Sequence, residues 1–339
     1  MLRENFLKKY ITKEKLGLEI GPLHKGICRK DNDYNILIWD IVSYEELLDR
    51  YSKNNISEVD KLEKIDIISS KSLKLALDDY SSNEFSKIKS SKECLDYIIS
   101  SHNLEHFPNP IQFFKDASYV LKEGGVLTIS IPIASRCFDC LVPLSTTGQM
   151  IDSYFSNSTK PTFGEAFDHK FSYAIFDKNK NKNMIGINDP IYHFKRADFR
   201  YRLNYESYIN LLETYNKQPY MDVHIWQFNL ASFLSIFNDL LECKIIENLE
   251  IIDYECHEID FAVSIRKNSN IKEINKNPLN NRINLKKQSI LSYKSDLFPN
   301  RIFKLKKYIF LLGIKILKKY LSKRYYLVIK KIFKKIIIK

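Results

Sequence analysis

Two histidines and a glutamate stand within five positions of one another in SSHNLEHFPNPIQFF, Ser100 to Phe114. The apolar run LDYIIS enters this polar knot, and two prolines and an amphipathic segment leave it. An imidazole titrates near neutrality and is the natural general base for removing a proton from a hydroxyl. His102, first past the apolar run, is the preferred base. Glu105 and His106 lie one turn further on and suit orientation of the loop as well as reaction; for His106 the structural role is favoured. Two more His–carboxylate groupings occur far along the chain, Asp168-His169 and Asp222-x-His224. Such pairs suit a base with its orienting partner, and equally a metal site; no metal ligand set is assigned. Arg136 could clamp a phosphate or carboxylate, and Trp226 could stack on a sugar face, although aromatic residues at this density more often fill cores.

A second group lies near the N-terminus. In GLEIGPLHKGI, Glu19 stands at the end of an apolar run and Gly21 permits close approach of backbone to a ligand. About 20 residues on, LIWD ends on Asp40, where a carboxylate can accept both hydroxyls of a ribose. A dinucleotide fingerprint would need G-x-G-x-x-G, and only Gly21 and Gly26 are present. Cys137-x-x-Cys140 lacks a second ligand pair or a helix N-terminus, so neither a zinc nor a redox role is read from it.

The elements that must position these residues follow from hydrophobic pattern. Segments 16–21, 34–40, 62–68, 95–100 and 126–132 are short apolar runs with polar or glycine exits, the pattern of strands covered on both faces of a parallel sheet. Between the last two, PIQFFKDASYVLKEGG reads as a helix beginning near Pro110 and stopped at Gly124-Gly125, which completes a βαβ unit. From 133 to 228 the rhythm breaks into Phe-, Tyr-, Ser- and Asn-rich sequence, expected to be an insertion over the carboxyl ends of the strands. Helical spacing returns over 229–243 with Asn229 as N-cap. Segments 244–252 and 259–266 then suit an antiparallel hairpin. Residues 267–300, rich in Asn and Lys, read as a linker.

The 339 residues carry a net charge of +12, but the charge is unevenly placed. Residues 301–339 hold 14 Lys or Arg and no acid; removing those 14 from 53 leaves 39 basic against 41 acidic residues. A nearly neutral body excludes a broad nucleic-acid footprint. The tail alternates Lys pairs with Ile, Leu, Phe and Tyr at helical spacing, as a basic amphipathic helix on an anionic membrane surface would; a partner-docking helix, with a glycosyltransferase as the partner, and a tail packed on its own domain are the other readings. Its longest apolar run is too short to span a bilayer. The start MLRENFLKKY has no apolar signal core, so the six cysteines are expected to be reduced thiols of a cytoplasmic protein, peripheral at the inner face of the plasma membrane.

The blocks LEIGPL, YNILIWD and SHNLEHFPNPIQFFKDASYVLKEGGVLTISIP resemble the class I S-adenosylmethionine-dependent methyltransferases. The resemblance extends through RCFDCLVPLSTTGQMI, FDH and MDVHIWQFNLASF to a bacterial subgroup associated with glycosyltransferase and surface-polysaccharide clusters, over roughly residues 13–266. It implies an α/β, Rossmann-like sheet of seven strands with the last antiparallel, an insertion after strand 5 and a basic C-terminal helical tail. The implied domains are 1–266 for methyl transfer, with 133–228 on the substrate side, then 267–300 as linker and 301–339 as tail. The implied cofactor is S-adenosylmethionine, held by Glu19, Gly21, Asp40, Asp66 and Ser101. The implied reaction is methylation of a hydroxyl on a sugar or sugar-linked group, with His102, His169 and His224 as candidate bases and Arg136, Asp168, Asp222 and Trp226 facing the acceptor. Pro22 and Leu23 replace the further glycines of the usual first motif. The rival readings are a Rossmann-type oxidoreductase, which would want the full glycine fingerprint, and a non-catalytic scaffold for a membrane glycosyltransferase.

Overall fold

A computed structural model describes residues 2–54, 57–177, 182–183, 198–270 and 278–297. Five strands, β1 (Gly17–Ile20), β2 (Ile36–Asp40), β3 (Ile67–Ile68), β4 (Leu95–Ser101) and β5 (Leu121–Pro132), run parallel, as continuous apolar runs predict. With β9 (Leu249–Cys256) and β10 (Asp260–Lys267) they make one seven-stranded sheet, ordered β3-β2-β1-β4-β5-β10-β9. β10 is antiparallel to both its neighbours and is wedged between β5 and β9. The order reverses beside β1, between β1 and β4, which opens a crevice at their carboxyl ends.

Alternation of side chains gives the sheet two dressed faces. Leu18, Leu37, Ile98, Ile129 and Val263 belong to a large core completed by α3 (Leu73–Ser81), α4 (Pro110–Val120) and α8 (Leu230–Glu242). Ile36, Ile38, Tyr97 and Ile99 point the other way and are covered by Phe6 and Leu7 of the short α1 (Arg3–Leu7) and by Ile27 and Cys28 of the β1–β2 connection. That connection contains a single 3₁₀ turn, Lys30–Asn32. α2 (Tyr44–Lys53) follows β2 behind a Ser43–Glu46 capping box.

The insertion after β5 holds α5 (Thr147–Phe155), α6 (Phe163–Phe171) and α7 (Tyr205–Lys217), with a small antiparallel sheet of β6 (Ala174–Asp177), β7 (Lys182–Asn183) and β8 (Asp198–Phe199). Thr146 and Thr162 close capping boxes with Gln149 and Glu165, so α5 and α6 begin where their side chains satisfy the first free N–H groups.

Two expectations are corrected. The segment read as a linker contains a 20-residue helix, α9 (Pro278–Leu297). It is held to α8 by Arg282, whose Nε and Nη2 lie 2.6 and 3.2 Å from the Asp239 carboxylate, and by Asn229, which donates to the Ser289 carbonyl. The strand expected over 62–68 is reduced to two residues, because Asp66 turns its carboxylate back onto the Ile38 N–H and Lys30. The basic segment 301–339 lies outside the described residues. Among the described residues no helix is long and apolar enough to cross a membrane.

Candidate active site

The crevice at the tips of β1, β2 and β4 is shaped by backbone that only certain residues permit. Gly21 follows β1 at φ +51°, and a Cβ there would meet Asn103 Oδ1 at 2.8 Å. Asn103 in turn donates to the carbonyls of Ile20 and Ser101, tying the tips of β1 and β4 together. At the β2 tip, Asp40 Oδ1 accepts the N–H groups of Ile41 and Val42, while Oδ2 takes no hydrogen bond from the described residues. Burial holds the Asp40 pKa above its ordinary value despite those two bonds. A glycine cradle beside a carboxylate with one open oxygen fits the methionine and ribose ends of S-adenosylmethionine.

Glu19, in contrast, has both carboxylate oxygens engaged by backbone. It is buried, and they accept the N–H groups of Ile27 and Cys28 at 2.7 and 3.0 Å. Its role is to fasten the β1–β2 connection. Desolvation raises its pKa to about 7, against the opposing effect of those bonds. The Asp66 carboxylate is engaged by Lys30 Nζ at 2.6 Å and by the Ile38 N–H at 2.8 Å. The Ser101 hydroxyl is engaged by Arg3 on the α1 face of the sheet.

His102 leaves β4 in the left-handed region at φ +57°, a costly conformation for a residue with a side chain and one that concentrates at functional sites. The turn delivers its Nε2 to Asp260 Oδ2, 3.0 Å away at the start of β10. Asp260 is buried, and the same oxygen also accepts from Arg3 Nε at 2.6 Å and Ser130 Oγ at 2.9 Å. Burial opposes ionisation of Asp260, but His102, Arg3 and Ser130 outweigh it and its pKa falls below the usual carboxylate value. An ionised Asp260 only accepts, so His102 Nε2 is the donor in this contact.

Around the turn, Glu105, His106, His169, Asp222 and His224 converge, as His-rich segments from three parts of the chain. His106 Nδ1 lies 2.8 Å from Asp222 Oδ1 and His224 Nδ1 lies 3.0 Å from Asp139 Oδ2. Burial disfavours the charged form of His106, yet the Asp222 carboxylate and the charge of Glu105 raise its pKa overall. Asp222 is correspondingly lowered by His106. His169 Nδ1 accepts the His224 backbone N–H at 3.0 Å, and burial lowers its pKa to about 4. It is a neutral support for His224, with the nitrogen a base would use at Nδ1 already occupied.

His102, Glu105, His106, Arg136, Cys137, Phe138 and His224 line one pocket of about 100 Å³. Arg136 reaches it with Nη1 bound to the Glu258 carbonyl. Three of the four residues expected at the acceptor, Asp168, Asp222 and Trp226, do not line the pocket. Trp226 is a core side chain whose Nε1 donates to the Phe107 carbonyl at 2.7 Å. Asp168 is exposed on the outer side of α6. Cys137 and Cys140 are buried free thiols, with burial pushing Cys140 up to about 12. Sequence reading did not single out Arg3, Asn103, Asp139 or Asp260. The first and last come from opposite ends of the catalytic body, and only the sheet order makes them neighbours.

A Rossmann-like sheet with its antiparallel strand between β5 and β9, and a glycine–carboxylate crevice at the strand tips, is the class I methyltransferase architecture. Residues 46–129 match the methyltransferase domain family. The chain thus carries a methyltransferase domain, and the cofactor of that domain is S-adenosylmethionine. Among solved structures, a SAM-dependent methyltransferase from Methanosarcina mazei is 12% identical, pairing 78% of this chain with 97% of that one at a TM-score of 0.36. An S-adenosylmethionine-dependent methyltransferase from Mesorhizobium loti is 10% identical, pairing 78% with 98% at 0.37. Likenesses this distant assign nothing further to this chain. No curated protein matches it.

Proposed function

We propose that the protein methylates a hydroxyl of a sugar or sugar-linked group during surface-glycan assembly, with His102 as the general base. The observation that carries this reading is the His102–Asp260 pair, 3.0 Å apart at the tip of β4, with His102 lining the pocket. When bound, S-adenosylmethionine supplies an electrophilic methyl group on a sulfonium; the protein has to orient the acceptor and take its proton. Gly21, Asp40 and the backbone at Ser101–His102 would hold the cofactor. Asp260 holds the proton on His102 Nε2 and balances the imidazolium formed when Nδ1 accepts the acceptor's proton. Arg136 stands on the acceptor side, suited to a phosphate or carboxylate of an activated sugar. His224, with Asp222 behind His106, closes the far wall.

The acceptor class rests on the resemblance of the 136–151, 167–169 and 221–233 blocks to the surface-polysaccharide subgroup. The basic segment 301–339 would bring the catalytic body to an anionic membrane or a glycosyltransferase there. Transfer of labelled methyl from S-adenosylmethionine to glycan precursors tests the catalytic assignment. His102→Ala should lower turnover by about 10²–10⁴ and leave cofactor affinity nearly intact. Turnover equal to wild type would remove His102 from the chemistry.

A further inference from the structure

The pocket beyond His102 ends on a side chain that proton removal does not use. Glu105 is fully buried, and neither of its carboxylate oxygens has a hydrogen-bond partner. Its closest ionisable neighbours are His102 Nδ1 at 3.7 Å and His106 Nε2 at 3.9 Å, both beyond hydrogen-bond distance. A buried carboxylate is costly unless it is hydrogen-bonded, paired or coordinating a metal.

The imidazoles beside it are arranged for the last of these. The His106 and His224 rings stand 4.7 Å apart between centroids at 87°. One ligand atom from each of Glu105, His106 and His224 lies within 4.8 Å of the other two. Asp139 is hydrogen-bonded to His224 Nδ1 at 3.0 Å, and the Asp222 carboxylate lies 2.8 Å from His106 Nδ1 as an ion-pair contact without hydrogen-bond geometry. A carboxylate at Nδ1 orients a ligating histidine from behind, and it leaves Nε2 of each ring for an ion. All three residues line the pocket, so a remaining coordination position would face the space open to an acceptor.

We propose that Glu105, His106 and His224 bind one first-row divalent transition-metal ion of the zinc type, oriented by Asp222 and Asp139. Two imidazoles and one carboxylate suit such an ion; Mg²⁺ and Ca²⁺ prefer all-oxygen sets. Donors in these sites stand about 2.0–2.2 Å from the ion, so the three side chains draw together on binding. The site adjoins the acceptor pocket proposed above, but filling it needs neither cofactor nor acceptor.

Full-length, tag-free protein stripped by a chelator would be titrated by calorimetry with Zn²⁺, Co²⁺ and Mg²⁺, and the bound metal counted by mass spectrometry. One equivalent of Zn²⁺ or Co²⁺ should bind, and Mg²⁺ should not compete. Asp222→Asn should weaken Zn²⁺ binding by about 10–100-fold, and Glu105→Gln by more. Asp222 is exposed, so its variant keeps the test valid if Glu105→Gln does not fold. The proposal is overturned by absent stoichiometric binding or by unchanged affinity in folded Asp222→Asn. It is equally overturned if Cys137→Ser, but not Glu105→Gln, abolishes binding. The ion would then belong to the deeper Cys137, Asp139 and His224 trio, whose ligand atoms also lie within 4.8 Å of one another.

Discussion

Glu19 shows how one buried carboxylate can serve the fold while sitting in a motif that reads as ligand binding. Its pKa in the folded protein, about 7, stands above the ordinary 4.5 because burial penalises the charge more than two N–H bonds favour it. Between those values the folded chain keeps a proton that the unfolded chain has released. Stability from this group is therefore present below about pH 4.5 and is lost as pH rises through 7, a change on the order of 3 kcal/mol. Glu19→Gln should flatten that decline in thermal midpoint over the same window, although it lowers the midpoint overall by weakening one loop bond. An unchanged slope in the variant would contradict the protonation assigned to Glu19. At this scale Gly21, Asp40 and His102 were legible in the sequence because each ends an apolar run. Asp260 was not, because its link to His102 spans 158 positions and is created only by β10 pairing beside β5. Trp226 was misplaced since an aromatic residue beside polar neighbours gives no sign of which way its ring will turn.

At the scale of elements, hydrophobic period located most of the sheet, the helix capped by Asn109 and the helix capped by Asn229. The capping sequences TFGE and SYEE were present in the sequence as start signals for α6 and α2. What escaped was α9, whose sequence PLNNRINLKKQSILSYKSDL has too few apolar residues to mark a buried stripe. Polar contacts hold it in place of apolar ones. Asp239 gathers them, accepting from Arg282 on α9 and from Thr147 at the start of α5, with Lys286 at 3.8 Å. Asp239→Ala should cost about 2 kcal/mol, a fall of roughly 4–8 °C in the thermal midpoint of a domain this size. The loss should be greatest in protection of residues 278–297 from amide exchange. Unaltered exchange there would mean that α9 is held by something other than Asp239.

For the whole molecule, charge and chemistry are segregated. The residues proposed for the site all precede 267, while 14 of the 53 basic residues fall after 300. Deleting 301–339 should release the protein from anionic liposomes, since each basic residue near such a surface contributes about 1 kcal/mol, and should leave cofactor affinity unchanged. Full-length protein that ignores anionic liposomes would assign the segment to a protein partner instead. A seven-stranded sheet with its last strand antiparallel was implied by the resemblance, whereas the strand order and the pocket were not, because the insertion that supplies Asp139, His169 and His224 has no sustained periodic pattern. The central claim, methylation of a surface glycan through His102, is tested most directly by mass spectrometry of that glycan from cells carrying the wild-type chain or His102→Ala at equal abundance. The account predicts that one sugar residue loses a methyl group in the variant and regains it on restoring His102. An identical methylation pattern in both would contradict it.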